Sequence, residues 1–511
     1  MPYSIHLLLA LATLPFGEGK ARASSGKGVS AALQDVIAPV LKRLRQHVEQ
    51  FRQQRVTPTE MQRFEQQLQE ELRELGRQIA QWTYNRLEPA ADALPKHVWF
   101  EAGPYTRLNR KTPQNAWTLF GQIRLWRVGY RPTNKTGDAT LFPLALSLGL
   151  IQGATPALAE RAARLLGSSG MTQSLTLERL RQDHGIGWGV KKLRQVTGAV
   201  SRAMAEQRHD AQVAKLLELL EQAADSAGRH KPVLSVGRDG VTLGLRARGG
   251  RLFEVATTGT VTVFDRRGKR LGTVYLAYTP ESGQGTMSLE LTRLVREVLQ
   301  RWQGTLPRLC YVTDAGDNET TYYDEVLRRM KQHPRTGEPL NWIRVVDYYH
   351  ASERLWKMAE LLFGNGKRSV AWARKMQKWL LKPGGVNRVL HSAAALRAMH
   401  RLQNKKLQEF NTAYRYLRDR MQYMRYAEYR AVGIPRGSGV TEAACKTVYT
   451  QRLKLSGMSW KKAGAQMVLN LRVLQLSGVW DEAYAGVLNQ HDEAEVAGQR
   501  ESEPSRTQIA A

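Results

Sequence analysis

Pro232-Val-Leu-Ser-Val-Gly-Arg-Asp-Gly240 is a short apolar run that ends on an acid, and Arg308-Leu-Cys-Tyr-Val-Thr-Asp314 repeats the arrangement further along. Short apolar runs rich in β-branched residues and bounded by turn formers read as buried strands. Between them lie strand-like residues 252–260, then Val261-Thr-Val-Phe264 and Leu271-Gly-Thr-Val-Tyr-Leu-Ala277. Asp265-Arg-Arg-Gly-Lys269 separates the last pair and closes a hairpin. A helix is predicted over 287–302, where Leu289, Leu291, Leu294, Val295 and Val298 recur at helical spacing. Residues 321–332 read as another helix, and Trp342-Ile-Arg-Val-Val346 as a fifth strand ending at Asp347.

The order β-β-β-α-β-α-β, three antiparallel strands followed by alternating elements, describes a ribonuclease H-like mixed α/β sheet with helices on its faces. The last helix of such a fold should follow the fifth strand at once. Here the next fitting helix comes only after Gly437-Ser-Gly439 and carries Glu442. Residues 351–430 hold 18 Lys and Arg against 5 Asp and Glu, and read as helical apart from breaks at Gly364-Asn-Gly366 and Lys382-Pro-Gly-Gly385. The expectation is a catalytic domain over 231–350 plus 431–478, interrupted by an all-helical basic insertion over 351–430.

Upstream, 31–105 is expected to be a helical N-terminal region, with paired amphipathic helices up to Leu87 that dimerise or pack on the next domain. A small β-containing segment covers 106–150, with a hairpin in 112–131. Residues 156–225 read as helical. Within them, helices at 175–183 and 189–202 flank His184-Gly-Ile-Gly-Trp188. That is a candidate helix-turn-helix over 175–202, whose second helix would carry Lys191, Lys192, Arg194 and Arg202 to DNA; the plainer reading is a helical hairpin that only packs. Residues 1–30 read as a disordered leader. Their apolar run Leu7 to Phe16 and Ala21-Arg-Ala23 imitate a secretory signal, but Met1 to His6 holds no Lys or Arg. The stretch is therefore read as a mispredicted start or an inert leader, and the protein as cytoplasmic, on the nucleoid. From 479 the chain turns polar and acidic, and disorder is expected to 511.

A chain of 511 residues is too long for one core, and three or four domains are expected. Its 76 Lys and Arg against 46 Asp and Glu give a net charge of +30, which suits a polyanionic partner. Cys310 and Cys445 belong to no Cys/His cluster, which argues against a structural zinc site. No stretch reaches the length of a membrane span.

Asp239 and Asp314 end strands that are neighbours in this fold, so their carboxylates should stand close. Two such groups raise each other's pKa unless a cation lies between them. With Glu442 they offer hard oxygen ligands for Mg²⁺ or Mn²⁺, and a pair of ions about 4 Å apart serves in-line phosphoryl displacement. Taken singly, each acid also suits a turn or a helix N-terminus. Lys446, one helical turn beyond Glu442, and Arg452 are candidate phosphate holders, although Lys446 could instead pair with Glu442. His350 either contacts the scissile phosphate or holds Asp347, which itself suits a helix cap. Tyr416, Arg418, Tyr423, Arg425, Tyr426 and Arg430 form either base-stacking faces beside cations or a tyrosine core with solvated arginines.

Val236-Gly-Arg-Asp-Gly240, Val312-Thr-Asp-Ala-Gly-Asp317, Asp347-Tyr-Tyr-His-Ala351 and Gly437-Ser-Gly-Val-Thr-Glu-Ala-Ala-Cys-Lys446 resemble the DDE transposases of bacterial insertion sequences, of the ISKra type. Gln451-Arg-Leu-Lys-Leu-Ser-Gly-Met-Ser-Trp460 continues the resemblance, which spans about 232–478 with gaps of 75 and 128 residues between the three acids. It implies that Asp239, Asp314 and Glu442 are the catalytic, metal-binding triad, with two Mg²⁺ or Mn²⁺ ions. It also implies cleavage at the terminal inverted repeats of an insertion sequence, strand transfer to target DNA, and a homo-oligomer that brings two ends together. The rival readings are a catalytically silent transposase-derived DNA-binding protein, expected to lack an acid, and a nuclease of the same fold that cuts without joining.

Overall fold

Residues 26–90, 93–100, 103–133, 140–247 and 250–501 are described by the computed structural model. They divide into two units: one holds the described residues up to Leu166, Met171–Met204 and those from Tyr484 on; the other holds Gly167–Gly170 and Ala205–Ala483.

In the first unit, α1 (Gly26–Gln53) and α2 (Pro58–Arg86) pair through the stacked rings of Phe51 and Phe64, 4.4 Å apart, and through Arg43 on Glu71 at 2.8 Å. Thr57 caps α2 by accepting the Glu60 N–H, and Pro58 opens the helix where its missing N–H costs nothing. Strands β1 (His97–Phe100), β2 (Gly103–Arg107) and β5 (Tyr130–Pro132) form one small sheet, and β3 (Thr112–Thr118) with β4 (Gly121–Arg127) forms the expected hairpin. Every second residue of β4 is buried, as a half-covered strand requires. Helices α3 (Pro143–Ser147), α4 (Pro156–Gly167), α5 (Gln173–His184) and α6 (Val190–Ala224) follow. Gly185, at φ +65°, ends α5 in a left-handed cap, with its N–H on the Arg181 carbonyl and that of Ile186 on Leu180. Two helices joined by a Gly-containing turn are therefore present, but the second does not stop at Arg202. Buried Met204, Val213, Leu216 and Leu220 carry it on to Ala224.

Within the stretches expected to be disordered, residues 26–30 and 480–501 are helical. Helix α1 already includes Gly26, and residues 1–25, with the signal-like run, lie outside the described residues. Beyond 479 the chain forms α17 (Trp480–Glu501), opened by Asp481 and Glu482 where the helix dipole favours acids. Tyr484 anchors it, its hydroxyl donating to the Pro156 carbonyl at 2.7 Å. Residues 502–511 again lie outside the described set.

The second unit is built on a five-stranded sheet in the order β10-β9-β6-β7-β8. Its strands are β6 (Val233–Ala247), β7 (Gly250–Phe264), β8 (Arg270–Tyr278), β9 (Arg308–Thr313) and β10 (Trp342–Val346). The β6, β7 and β8 pairings are antiparallel; β9 joins β6, and β10 joins β9, in parallel. Alternation along β6 and β9 sends Leu234, Val236, Leu309 and Tyr311 to a core shared with α7 (Gly285–Arg301) and the end of α6. Val233, Cys310 and Val312 face the opposite core, shared with the helices after β10.

Strands β6 and β7 differ from their expected lengths. The first does not end at Asp239, because β7 pairs with it from Val233↔Phe264 to Ala247↔Gly250. The second fuses the two runs expected at 252–260 and 261–264. After β9, α8 (Asp317–Tyr322) starts earlier than the expected 321 and passes into a π-turn at Tyr323–Leu327. Helices α9 (Tyr348–Phe363), α10 (Lys367–Leu380), α11 (Gly385–Met399), α12 (Asn404–Asp419) and α13 (Tyr426–Ala431) occupy the basic stretch. Then come α14 (Gly439–Ala444), a second π-turn at Cys445–Thr450, α15 (Gln451–Leu453) and α16 (Lys462–Ser477). Among the described residues no helix is long and apolar enough to cross a membrane.

Candidate active site

The β6–β9 ladder runs from Val233↔Arg308 to Val236↔Tyr311, an offset of 75 residues that also separates Asp239 from Asp314. The β9–β10 ladder ends at Thr313↔Val346, so the next step sets Asp314 beside Asp347. Three aspartates therefore share one level across three adjacent parallel strands. There β9 and β10 stop while β6 runs on, leaving Asp239 without a strand partner on that side.

Asp239 is half-buried, its carboxylate accepting the Gly240 N–H at 2.7 Å and the Cys445 S–H at 3.3 Å. Burial raises its pKa, and the nearby Asp314 and Glu442 carboxylates add to the rise. Asp314 accepts the Gly316 N–H at 3.1 Å across a turn in which Ala315 has a φ of +59°. A fourth acid, Glu319, was not singled out from the sequence. It is buried in the first turn of α8, and its carboxyl is pushed up by burial and then by Asp314, with Arg238 opposing. Its available signal was local: Asp314, Asp317 and Glu319 crowd into six residues directly after a strand.

Glu442 reaches the other acids because α14 lies on the sheet. Thr441 and Thr260 bond through their buried hydroxyls at 2.8 Å, and only a glycine at 237 leaves room beneath them. The Glu442 carboxylate meets the Ser438 hydroxyl at 3.1 Å and His350 Nε2 at 3.2 Å. Of the two roles left open for His350, holding Asp347 is not what its ring does; it lies between Glu442 and Glu353, the latter at 3.2 Å from Nδ1. Asp347 is the helix cap. Fully buried, it accepts the Tyr349 and His350 N–H groups of α9, and takes the Ser438 hydroxyl at 2.6 Å and the Ser438 N–H.

Other candidates separate on exposure. Lys446 is exposed beside Glu442. Arg452, expected to hold phosphate, is 0% exposed, its guanidinium 5.3 Å from the centre of the Trp460 ring and its pKa lowered to about 10, chiefly by burial. It cannot reach a phosphate from there. In the first unit, Lys191, Arg194 and Arg202 line an open depression on one face of α6. Lys192 instead turns onto the Gln152 carbonyl and lies over the Trp117 ring. Of the interleaved tyrosines, Tyr426 is buried and donates to the Val346 carbonyl, and Tyr416 donates to the Asp314 carbonyl. They form a core, while Arg418 pairs at the surface with Asp419.

Neither Asp239 nor Asp314 has a Lys or Arg ion-pair partner among the described residues, so their charge is uncompensated, as hard-cation ligands require. Among the described residues no three His, Cys, Asp or Glu side chains form a ready metal cage, and Glu442 is engaged with Ser438 and His350. No known protein-family profile matches the chain, and no curated protein matches it.

Proposed function

We propose that this chain is a DDE-type transposase. A ribonuclease H-like catalytic domain, interrupted by the basic helices α9–α13, would cut DNA at the ends of an insertion sequence and join the freed 3′-hydroxyl to target DNA. The reading is carried by the common level of Asp239 and Asp314 on neighbouring parallel strands, with Glu442 near enough to raise the Asp239 pKa. Strand order supports it: three antiparallel strands, then two parallel ones on the far side of the first.

Two Mg²⁺ or Mn²⁺ ions held here would supply activation of the attacking hydroxyl and stabilisation of the leaving oxygen. Asp239 and Asp314 would hold them, and Glu442 would join once freed from His350 and Ser438. Lys191, Arg194 and Arg202 suit the terminal repeats, since cations on phosphates release counterions. Synapsis of two ends calls for at least two copies, acting on the nucleoid in the cytoplasm.

One observation favours a second reading, a transposase-derived DNA-binding protein without catalysis: the described residues hold no preassembled three-ligand cage. Full-length protein incubated with the element's terminal repeats and Mg²⁺ decides between them. Wild type should cleave, while Asp314→Asn should bind equally and not cleave. Equal cleavage by both overturns the acid assignment, and binding without cleavage by either establishes the second reading. Pre-cut ends then separate joining from cutting.

A further inference from the structure

The turn that carries Asp314 is gripped from outside the sheet. Ala315 stands in the left-handed region, at φ +59°, where an L side chain is strained. The N–H groups of the turn are satisfied locally, that of Ala315 by Thr313 Oγ1 at 3.2 Å and that of Gly316 by Asp314 Oδ1 at 3.1 Å. Its carbonyls take their shorter bonds from outside, the local one to Ala315 coming from the Thr320 hydroxyl at 3.5 Å. Tyr416 of α12 donates its hydroxyl to the Asp314 carbonyl at 2.6 Å. Arg420, which ends the same helix, donates Nε and Nη2 to the Ala315 carbonyl at 3.2 and 3.1 Å. The two donors brace each other, with the Arg420 guanidinium 4.6 Å from the centre of the Tyr416 ring and Arg354 of α9 5.0 Å from it.

Because each peptide is planar, a bond that holds its carbonyl also fixes the flanking dihedrals. Holding two successive carbonyls therefore fixes the backbone between Asp314 and Gly316. We propose that Tyr416 and Arg420 are positioning residues that lock the left-handed Asp314-Ala315 turn, so that the basic helical segment aims the Asp314 carboxylate. Its consequence for catalysis rests on the transposase reading; the lock itself does not.

The test uses full-length Tyr416→Phe, Arg420→Gln, Ala315→Gly and the Tyr416→Phe/Ala315→Gly double variant. Hydrogen exchange is followed in metal-free protein at the amides of residues 313–318. Loss of one such bond corresponds to about a tenfold change. Tyr416→Phe and Arg420→Gln should each speed exchange there about tenfold while the rest of the sheet is unmoved. Unchanged exchange overturns the lock. In cleavage assays kcat should fall about tenfold with KM for DNA unchanged. The double variant should recover part of that loss, because glycine takes the left-handed turn without strain. An effect confined to KM, or no recovery in the double variant, overturns the positioning role. Faster exchange in a protein whose wild type cuts no DNA supports the lock and removes the transposase reading alone.

Discussion

Gly237→Ala tests the contact that brings Glu442 to the sheet. A methyl at 237 would overlap Thr441 Oγ1 and stand 2.7 Å from Thr260 Oγ1. Such contacts relax at about 3.5 Å, so the overlap with Thr441 Oγ1 makes the start of α14 lift by more than about 1 Å. The same lift opens the buried Thr260–Thr441 hydrogen bond. Overpacking costs about 1–3 kcal/mol, and the bond about 1 kcal/mol. Unfolding free energy should therefore fall by about 2–4 kcal/mol, which for a unit of this size lowers Tm by roughly 5–15 °C. On the proposed transposase reading Glu442, the next residue after Thr441, is catalytic, and a misplacement of about 1 Å there costs on the order of a hundredfold in rate. Thr441→Val is the control, since it removes the bond without adding volume and should show only the smaller loss. Urea titration and thermal melts measure stability, and Mg²⁺-dependent cleavage is assayed at a temperature where every variant is folded. A Gly237→Ala protein as stable and as active as wild type would refute the packing of α14 on β6, and with it the placement of Glu442.

Asp347→Ala should destabilise the protein by about 3 kcal/mol, because it removes the cap of α9 and leaves the buried Ser438 N–H without its acceptor; an unchanged melting curve would contradict this. Burial raises the Asp239 pKa above its usual 3.8. The stability tied to its protonation is thus fully present below that pH and lost as pH rises through the higher folded value. Asp239→Asn should therefore raise Tm in EDTA at pH 7 and leave it unchanged near pH 3, and equal shifts at both pH values would count against the burial argument. Replacing Lys191 and Arg194 together by Gln should lower the slope of log affinity for DNA against log salt by about 2, whereas Arg452→Met should leave that slope alone. A salt effect from Arg452→Met would mean that the side chain leaves its buried site.

Much of this arrangement was legible in the residue order. The apolar runs ending at Val236, Thr313 and Val346 announced their strands, because a strand buried on both faces has to be continuously apolar. The cap at Asp347 was legible as well, an acid directly before a helical pattern. By contrast, the outer half of β6 was missed. From Gly240 to Ala247 it pairs with β7 and bridges to Trp460 at Leu245, and its buried Leu243 and Leu245 alternate with more exposed residues, so no continuous apolar run marks it. Arg452 was misread for the opposite reason. A charged side chain belongs by default at the surface, and only the packing around Trp460 makes it an interior residue.

Sequence alone determined that apolar strands run into Asp314 and Asp347 and that a basic helical stretch precedes the helix of Glu442. Tertiary structure decided which of those acids meet. Register between β6, β9 and β10 sets Asp239, Asp314 and Asp347 at one level, and Asp347 is then consumed as a cap. The glycine floor at 237 brings in Glu442, the register of α8 turns Glu319 inward, and α12 grips the Asp314 turn. Spacing along the chain fixes local periodicity; proximity between residues many tens of positions apart depends on strand register and on the volume left between packed faces, which no local preference encodes.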